Sequence, residues 1–284
     1  MILVTGATGM FGGRVVEKLR ERDVPVRALV HRGGAERLAA LGAEPVTGDM
    51  DDAATLGPAL EGVDTVFLVS PMDDRIRERE GNVLAVAQDA GVERIVKLYG
   101  AVEHRGDALD VLHRASIDAI RASGLHWSLV SPSSVMETSL LSQAEAIRQG
   151  AIYACAGDGK VGHVAADDVA RAAAAVLVDG APDGANHRIT GPQSLSLGEV
   201  AAIMSDVLGR EIRYVDMPED AFRDLLVDDM GMTPEAAELG VLVHFRAWKR
   251  GDADLVTDTH RELTGLEPTP LADWVAANRD AFTP

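Results

Sequence analysis

Cysteine is almost missing from this chain. Cys155 is the only one among 284 residues, which excludes an intrachain disulfide and makes a reducing, cytoplasmic setting the expectation. Its neighbours Ala154 and Ala156 offer no charge that would activate a thiolate. Cations are also in deficit: 27 Lys and Arg stand against 45 Asp and Glu, for a net charge of −18. Such a chain is repelled by nucleic-acid phosphates and anionic lipid, and no basic cluster interrupts the acidity, so neither is an expected partner. No apolar run approaches the ~20 residues that cross a bilayer. The first apolar run starts at Met1, which leaves no expected room for a leader segment. Metal-ligand spacings and a Gly-x-Ser-x-Gly elbow are absent too. A small molecule is left as the expected partner, with a homodimer compatible with the composition. Any anionic ligand has to be held by local groups against the overall field.

Hydrophobic residues make up 46% of the chain, enough for a substantial core. Its most informative segment is the first, Met1-Ile2-Leu3-Val4-Thr5-Gly6-Ala7-Thr8-Gly9-Met10-Phe11-Gly12. An apolar strand runs into glycines spaced three apart, and an amphipathic stretch, Gly13 to Glu21 with Val15, Val16 and Leu19 on one face, follows. A strand, a glycine turn and a helix N-terminus form an anion-binding device of the kind that holds a dinucleotide pyrophosphate. Gly6 permits the tight turn, Gly9 permits close approach to the pyrophosphate, and Gly12 permits helix–strand packing. Gly6, Thr8, Gly9, Met10, Phe11 and Gly12 are the expected cofactor-facing residues. The alternative is the same turn with no ligand.

Short apolar runs then alternate with amphipathic stretches. Strands are expected at Ile2–Val4, Val26–Val30, Glu44–Thr47, Thr65–Val69, Arg94–Leu98 and Trp127–Val130. Helices are expected at Gly13–Arg22, Ala35–Leu41, Ala53–Leu60, Arg77–Ala90, Leu109–Ala122 and Asp168–Val178. Nearly continuous apolar strands in βα alternation indicate an α/β fold, a doubly wound parallel sheet of Rossmann type covered on both faces. Beyond about residue 135 the repeat breaks. Ser196 to Glu199 has capping-box spacing, Gly209 suits a helix stop, and Thr233-Pro234-Glu235 suits a helix start. The expected organisation is a cofactor domain over 1–184 and a smaller, mostly helical C-terminal lobe over 185–284 that binds substrate, with 135–160 contributing to that lobe.

The second strand ends in His31-Arg32, with no acid to receive a ribose 2′-hydroxyl. Arg32 suits a 2′-phosphate, with His31 assisting, which makes NADP(H) the expected cofactor; the alternative is a solvated loop arginine. Asp49 and Met50 follow the third strand, where an adenine is expected: Asp49 to accept from its amine, Met50 to pack on the ring. Asp51 and Asp52 suit the cap of the next helix. Val69 and Ser70 end the fourth strand and face the cofactor's central region.

Several ordered segments resemble the NmrA-like group of atypical short-chain dehydrogenases/reductases. They are Val4 to Gly12, Gly48-Asp49, Gly62 to Leu68, Ser123 to Trp127, Gly157-Asp158-Gly159-Lys160 and Thr190-Gly191-Pro192, so the resemblance covers nearly the whole chain. It implies a Rossmann fold, NADP(H), and one of several outcomes: NADPH-dependent quinone or azo reduction, isoflavone-reductase-like activity, or redox sensing without turnover. One departure limits the inference. Short-chain dehydrogenases pair a Tyr with a Lys four residues later, whereas Tyr99, Tyr153 and Tyr214 are followed at that distance by Glu103, Gly157 and Pro218.

By the resemblance, Tyr99 stands where the family has its catalytic serine and His113 where relatives often carry His or Lys. Both are candidate proton donors or orienters, and both also suit plain packing. His104 and Arg105 are weaker candidates. Leu98 and Pro132 are expected beside the nicotinamide. Ser131 and Thr138 replace the family's usual Arg and Asn. Met136, Tyr153, His163, Phe222 and Trp248, together with Phe11 and Phe245, are expected to line an apolar substrate pocket, although each also suits a core.

These features lead to an NADPH-dependent oxidoreductase that passes hydride to an activated acceptor such as a quinone, enone or azo compound. The alternatives are a non-catalytic NADP(H) sensor with a protein partner, and a biosynthetic imine reductase, epimerase or cyclase.

Overall fold

The computed structural model describes residues 1–102 and 104–283. Along the first half run β1 (Ile2–Val4), α1 (Met10–Arg20), β2 (Val26–Val30), α2 (Ala35–Ala40), β3 (Glu44–Thr47), α3 (Gly57–Leu60), β4 (Thr65–Leu68), α4 (Ile76–Asp89), β5 (Arg94–Leu98), α5 (Ala108–Ala122) and β6 (His126–Pro132). Then come α6 (Met136–Ser139), α7 (Ala144–Arg148), β7 (Ala151–Ala154), β8 (Lys160–Gly162), α8 (Ala166–Asp179), β9 (Ala185–Ile189), β10 (Ser194–Ser196), α9 (Leu197–Leu208), β11 (Arg213–Asp216), α10 (Glu219–Asp224), α11 (Pro234–Ala237), α12 (Val243–Lys249), α13 (Thr259–Thr264), α14 (Leu271–Ala277) and α15 (Arg279–Phe282).

The main sheet has seven strands in the order β3-β2-β1-β4-β5-β6-β9. Every pair from β3 across to β6 is parallel. The direction of winding reverses between β1 and β4, so the crevice outside their carboxyl ends is where a doubly wound sheet binds ligands.

Chain packing divides the molecule into two units of comparable size. The first comprises Met1–Tyr99, Val111–Ser131 and Val169–His187; the second comprises Gly100–Asp110, Pro132–Asp168 and Arg188–Pro284. In the first unit Leu3, Val66, Leu68 and Ile95 on the strands bury against Leu60, Val83, Ala87 and Ile120 on the helices. These side chains share one sheet face, and Val4, Phe67 and Val96, which alternate with them, are buried on the other, which is why the strands read as continuous apolar runs. In the second unit, β7 pairs with β11 and β8 with β10. One core there gathers Met136, Ile152, Met204, Trp274 and Phe282; another gathers Cys155, Phe222, Phe245 and Trp248.

Four strands have the expected ends, and the other boundaries move for local reasons. Helix α1 starts at Met10, three residues earlier than expected, with Gly9 as its N-cap. Strand β4 stops at Leu68 because the backbone N–H and C=O of Val69 both turn to the Thr5 hydroxyl, at 2.8 and 2.7 Å. The single helix expected over Ala53–Leu60 is instead a 3₁₀ turn, Ala53–Thr55, followed by the one-turn α3. Gly57-Pro58 interrupts it, since proline lacks the N–H that a longer helix needs. Asp52 caps the turn, accepting from the Ala54 N–H at 3.1 Å. Strand β9 was not expected; Asn186, His187 and Arg188 hide its pattern. The Ser196–Glu199 capping box is present, at 3.2 and 2.8 Å, and α9 ends at Gly209 in the left-handed region, φ 71°. Among the described residues no helix is long and apolar enough to cross a membrane.

Candidate active site

The first unit carries the candidate cofactor site at the end of β1. Gly6 has φ +56°, and a Cβ there would meet Val69 at 3.1–3.2 Å. A Cβ on Gly12 would lie 2.3 Å from the Gly6 carbonyl oxygen, so only glycine lets the start of α1 close onto the turn. Thr8 and Gly9 are exposed, while Met10 and Phe11 are half-buried. Gly9 provides no side-chain cap. The first N–H groups of α1 therefore keep their donor capacity at the positive end of the helix dipole, where a phosphate binds.

The carboxyl ends of β2 and β3 join three residues that the sequence singled out separately. Arg32 donates through Nε to His31 Nε2 at 3.0 Å, and His31 Nδ1 faces Asp49 Oδ1 at 3.2 Å. This chain assigns the imidazole hydrogen to Nδ1 and commits Arg32 only through Nε. Bidentate recognition of a phosphate uses the two terminal guanidinium nitrogens. The Asp49 carboxyl sits below the usual carboxylate range, first because it accepts the Asp51 N–H and second because His31 and Arg32 are near. That N–H bond, 2.9 Å long, shows what Asp49 does here. Met50 is packed into the core of the first unit, at 8% exposure, against the expectation that it covers an adenine.

At the carboxyl end of β5, Leu98 and Tyr99 are half-buried. The ring of Tyr99 meets that of His113 edge-on, with centroids 5.1 Å apart and planes at 76°. His113, on α5, is buried. The structure therefore brings the two candidate donors together from a strand end and the helix that follows it.

Sequence reasoning missed a buried ion pair on the neighbouring segments of β5 and α4. Lys97 and Glu80 are buried at 1% and 2% exposure, with Lys97 Nζ 2.5 and 2.6 Å from the two Glu80 oxygens. Ser116 donates to the same carboxylate, and Ser70 donates to it at 2.8 Å. The signal was available: Lys97 interrupts an otherwise apolar strand, and Glu80 falls on the buried stripe Ile76, Glu80, Val83, Leu84, Ala87 of α4. A buried charge seldom occurs without its partner.

The second unit holds the residues expected to meet substrate. His163 packs edge-on to Trp248 at 5.9 Å, Trp248 to Phe245 at 4.9 Å, and Phe245 to Phe222 at 5.7 Å. All four are buried, so they form a continuous aromatic row inside the unit. Met136 is fully buried in the other core, and Tyr153 is partly buried beside the row. Burial pushes His163 down to about 4, leaving a neutral imidazole whose two nitrogens have no hydrogen-bond partner. Trp248 also borders a cavity of about 440 Å³. Pro132 is buried, and its carbonyl accepts from the Ala101 N–H at 2.9 Å. His104 is buried and pairs with Asp107 at 3.0 Å; Arg105 pairs with Asp252 at 2.6 Å. Cys155 is buried and its thiol is pushed up to about 11 by that burial, which excludes a reactive thiolate. In the first unit, Ser131 donates to Asn186 at 2.7 Å; in the second, Thr138 donates to the Val135 carbonyl. Both hydroxyls serve local structure.

A doubly wound sheet, a glycine-opened and uncapped helix, and an arginine at the end of β2 together define a nicotinamide-dinucleotide-binding α/β protein. The model of the NmrA-like family matches residues 1–274, and the chain belongs to that family. It is 36% identical to a (4-alkanoyl-5-oxo-2,5-dihydrofuran-3-yl)methyl phosphate reductase of Streptomyces griseus, over all of both chains. It is 34% identical to an NAD(P)H azoreductase of Xenophilus azovorans, over 99% of each. Its fold superposes on the NADPH complex of an Escherichia coli NADPH-dependent quinone oxidoreductase with a TM-score of 0.89, at 27% identity, covering 98% of this chain and all of the other.

Proposed function

We propose that this NADPH-dependent oxidoreductase reduces small, electron-poor conjugated acceptors: quinones, enones and azo-like compounds. The observation that carries this reading is the Tyr99–His113 pair at the end of β5 in a chain whose tyrosines all lack a lysine four residues on. An unactivated ketone develops a localised alkoxide and needs a strong, well-placed donor as hydride arrives. A conjugated acceptor spreads that charge over several atoms, so a modest donor suffices.

Bound NADPH supplies the hydride. The chain's residues supply the rest. The N–H groups at the start of α1 and the glycine turn hold the pyrophosphate, and Arg32, braced by His31, holds the 2′-phosphate. Tyr99 carries a proton on its phenol oxygen, with His113 against its ring to orient it. One hydride and one proton complete a two-electron reduction.

The relatives support the acceptor class through the names they carry. One is an azoreductase, one a quinone oxidoreductase, and one acts on a ring alkene conjugated with two carbonyls. The test is NADPH oxidation by pure protein against quinones, enones, azo dyes, imines and simple ketones. Turnover with the conjugated classes and little with simple ketones is the expected pattern. Ketones consumed as fast as enones would overturn the acceptor assignment. Tight NADPH binding with no oxidation of any acceptor would favour a sensor.

A further inference from the structure

Hydrogen bonds and chain neighbours link the glycine turn to Lys97 and Ser116, which flank Tyr99 and His113 in sequence. Thr5, the residue before Gly6, holds Val69 by both its N–H and its C=O. The next residue, Ser70, donates to Glu80 at 2.8 Å. Glu80 is held by Lys97 at 2.5 and 2.6 Å and accepts from Ser116. Lys97 lies two residues before Tyr99, and alternation along an extended strand places i and i+2 on one face. Ser116 lies three residues after His113, one helical turn away on α5. A single carboxylate thus gathers the ends of β4 and β5 and the face of α5 that carries His113.

Stability alone does not account for this arrangement. Burying an ion pair costs desolvation on both sides, and apolar side chains of similar volume often serve stability as well or better. What an apolar pair does not provide is direction. The pair fixes where three separate chain segments sit, and it fixes which way a hydroxyl points. The Ser70 hydrogen is committed to Glu80. Toward the outside, half-buried Ser70 therefore offers lone pairs and recognises a hydrogen-bond donor such as a sugar hydroxyl, in contrast to a phosphate oxygen.

We propose that Lys97 and Glu80 are positioning residues, which set Ser70 as an acceptor for a ribose hydroxyl of the cofactor and hold Tyr99 and His113 in place for proton delivery. The proposal rests on the functional reading above and adds residues that touch neither acceptor nor reacting atoms. Misplacing a reacting group by about 1 Å costs on the order of a hundredfold in rate. Loosening this cluster therefore acts on kcat.

The test uses three variants of the full chain: the double substitution Glu80→Leu with Lys97→Met, Ser70→Ala, and Glu80→Asp. Each is measured for thermal unfolding, NADPH Kd, acceptor KM and kcat. In the double variant the fold is expected to persist, kcat to fall by roughly tenfold or more, and acceptor KM to stay close to wild type. Ser70→Ala is expected to raise the NADPH Kd by about three- to tenfold, the value of one neutral hydrogen bond. Glu80→Asp keeps the charge but draws it back by one methylene, and is expected to lower kcat in a folded protein. This variant decides the matter if the double variant does not fold. Folded variants with wild-type Kd and kcat would overturn the proposal. If none of the acceptors supports NADPH oxidation by the wild-type chain, the functional reading fails; the Kd of Ser70→Ala still decides the role of Ser70.

Discussion

Tyr99 and His113 stand edge to face, ring centroids 5.1 Å apart, one at the end of a strand and the other on the following helix. The contact gives the phenol a fixed neighbour in a ring on the next helix. If Tyr99 supplies the proton, Tyr99→Phe keeps the ring contact and removes the donor. Turnover is expected to fall by about a hundredfold, the lower end of the usual range for general acid catalysis, with NADPH affinity retained. His113→Phe also keeps an edge-to-face contact and is expected to lower turnover. Steady-state rates with a quinone and an enone check both, and unchanged rates in both variants would assign the proton to water.

Arg32 reaches His31 through Nε, and His31 reaches Asp49. Arg32→Ala is expected to weaken NADPH binding by roughly ten- to a hundredfold, the value of a charge-assisted bond to phosphate, and to leave NADH almost unaffected. Titration calorimetry with both cofactors checks it. Equal weakening of the two would remove the 2′-phosphate from Arg32.

Gly12→Ala sets a methyl group 2.3 Å from the Gly6 carbonyl oxygen, closer than any packed pair allows. The start of α1 has to move away from the turn. Overpacking of this kind costs about 1–3 kcal/mol. A lower unfolding temperature together with loss of NADPH binding is the expected outcome. Gly57→Ala, where a Cβ has open space around it, is the control.

His163 and His244 are both pushed down to about 4, in each case first by burial. Their folded forms refuse protons that the unfolded chain accepts below about pH 6.5. Stability from these groups is therefore complete above that pH and is lost as pH falls toward 4, by up to about 3 kcal/mol each. Denaturant unfolding across that window checks the sign. His163→Phe is expected to flatten the decline, and an unchanged slope would exclude His163 as a source.

Much of the first unit was legible because its strands are short apolar runs with glycine or charge at their ends. β1, β2 and β5 follow from that pattern, whereas β3, Glu44-Pro45-Val46-Thr47, is a half-exposed edge strand. The glycine turn was legible because Gly6 and Gly12 do something only glycine can do. The Lys97–Glu80 pair was missed: Lys97 breaks an apolar strand and Glu80 an apolar helix stripe, but nothing in the sequence matches one to the other until the fold places them together. β9 was hidden by polar residues at an end of the sheet. The aromatics of the second unit were legible as a group, but side-chain type alone does not separate a core row from a pocket wall, and Phe222, Phe245 and Trp248 are a row.

The most direct test of the central claim follows the hydride itself. Pure protein is incubated with NADPH deuterated at its transferable position and a conjugated enone, and the product is examined by mass spectrometry and NMR. One deuterium on the product carbon, one NADPH consumed per product and no transfer to a simple ketone are the predicted result. A product formed without label, or an enone left unchanged by a protein that binds NADPH tightly, would contradict it.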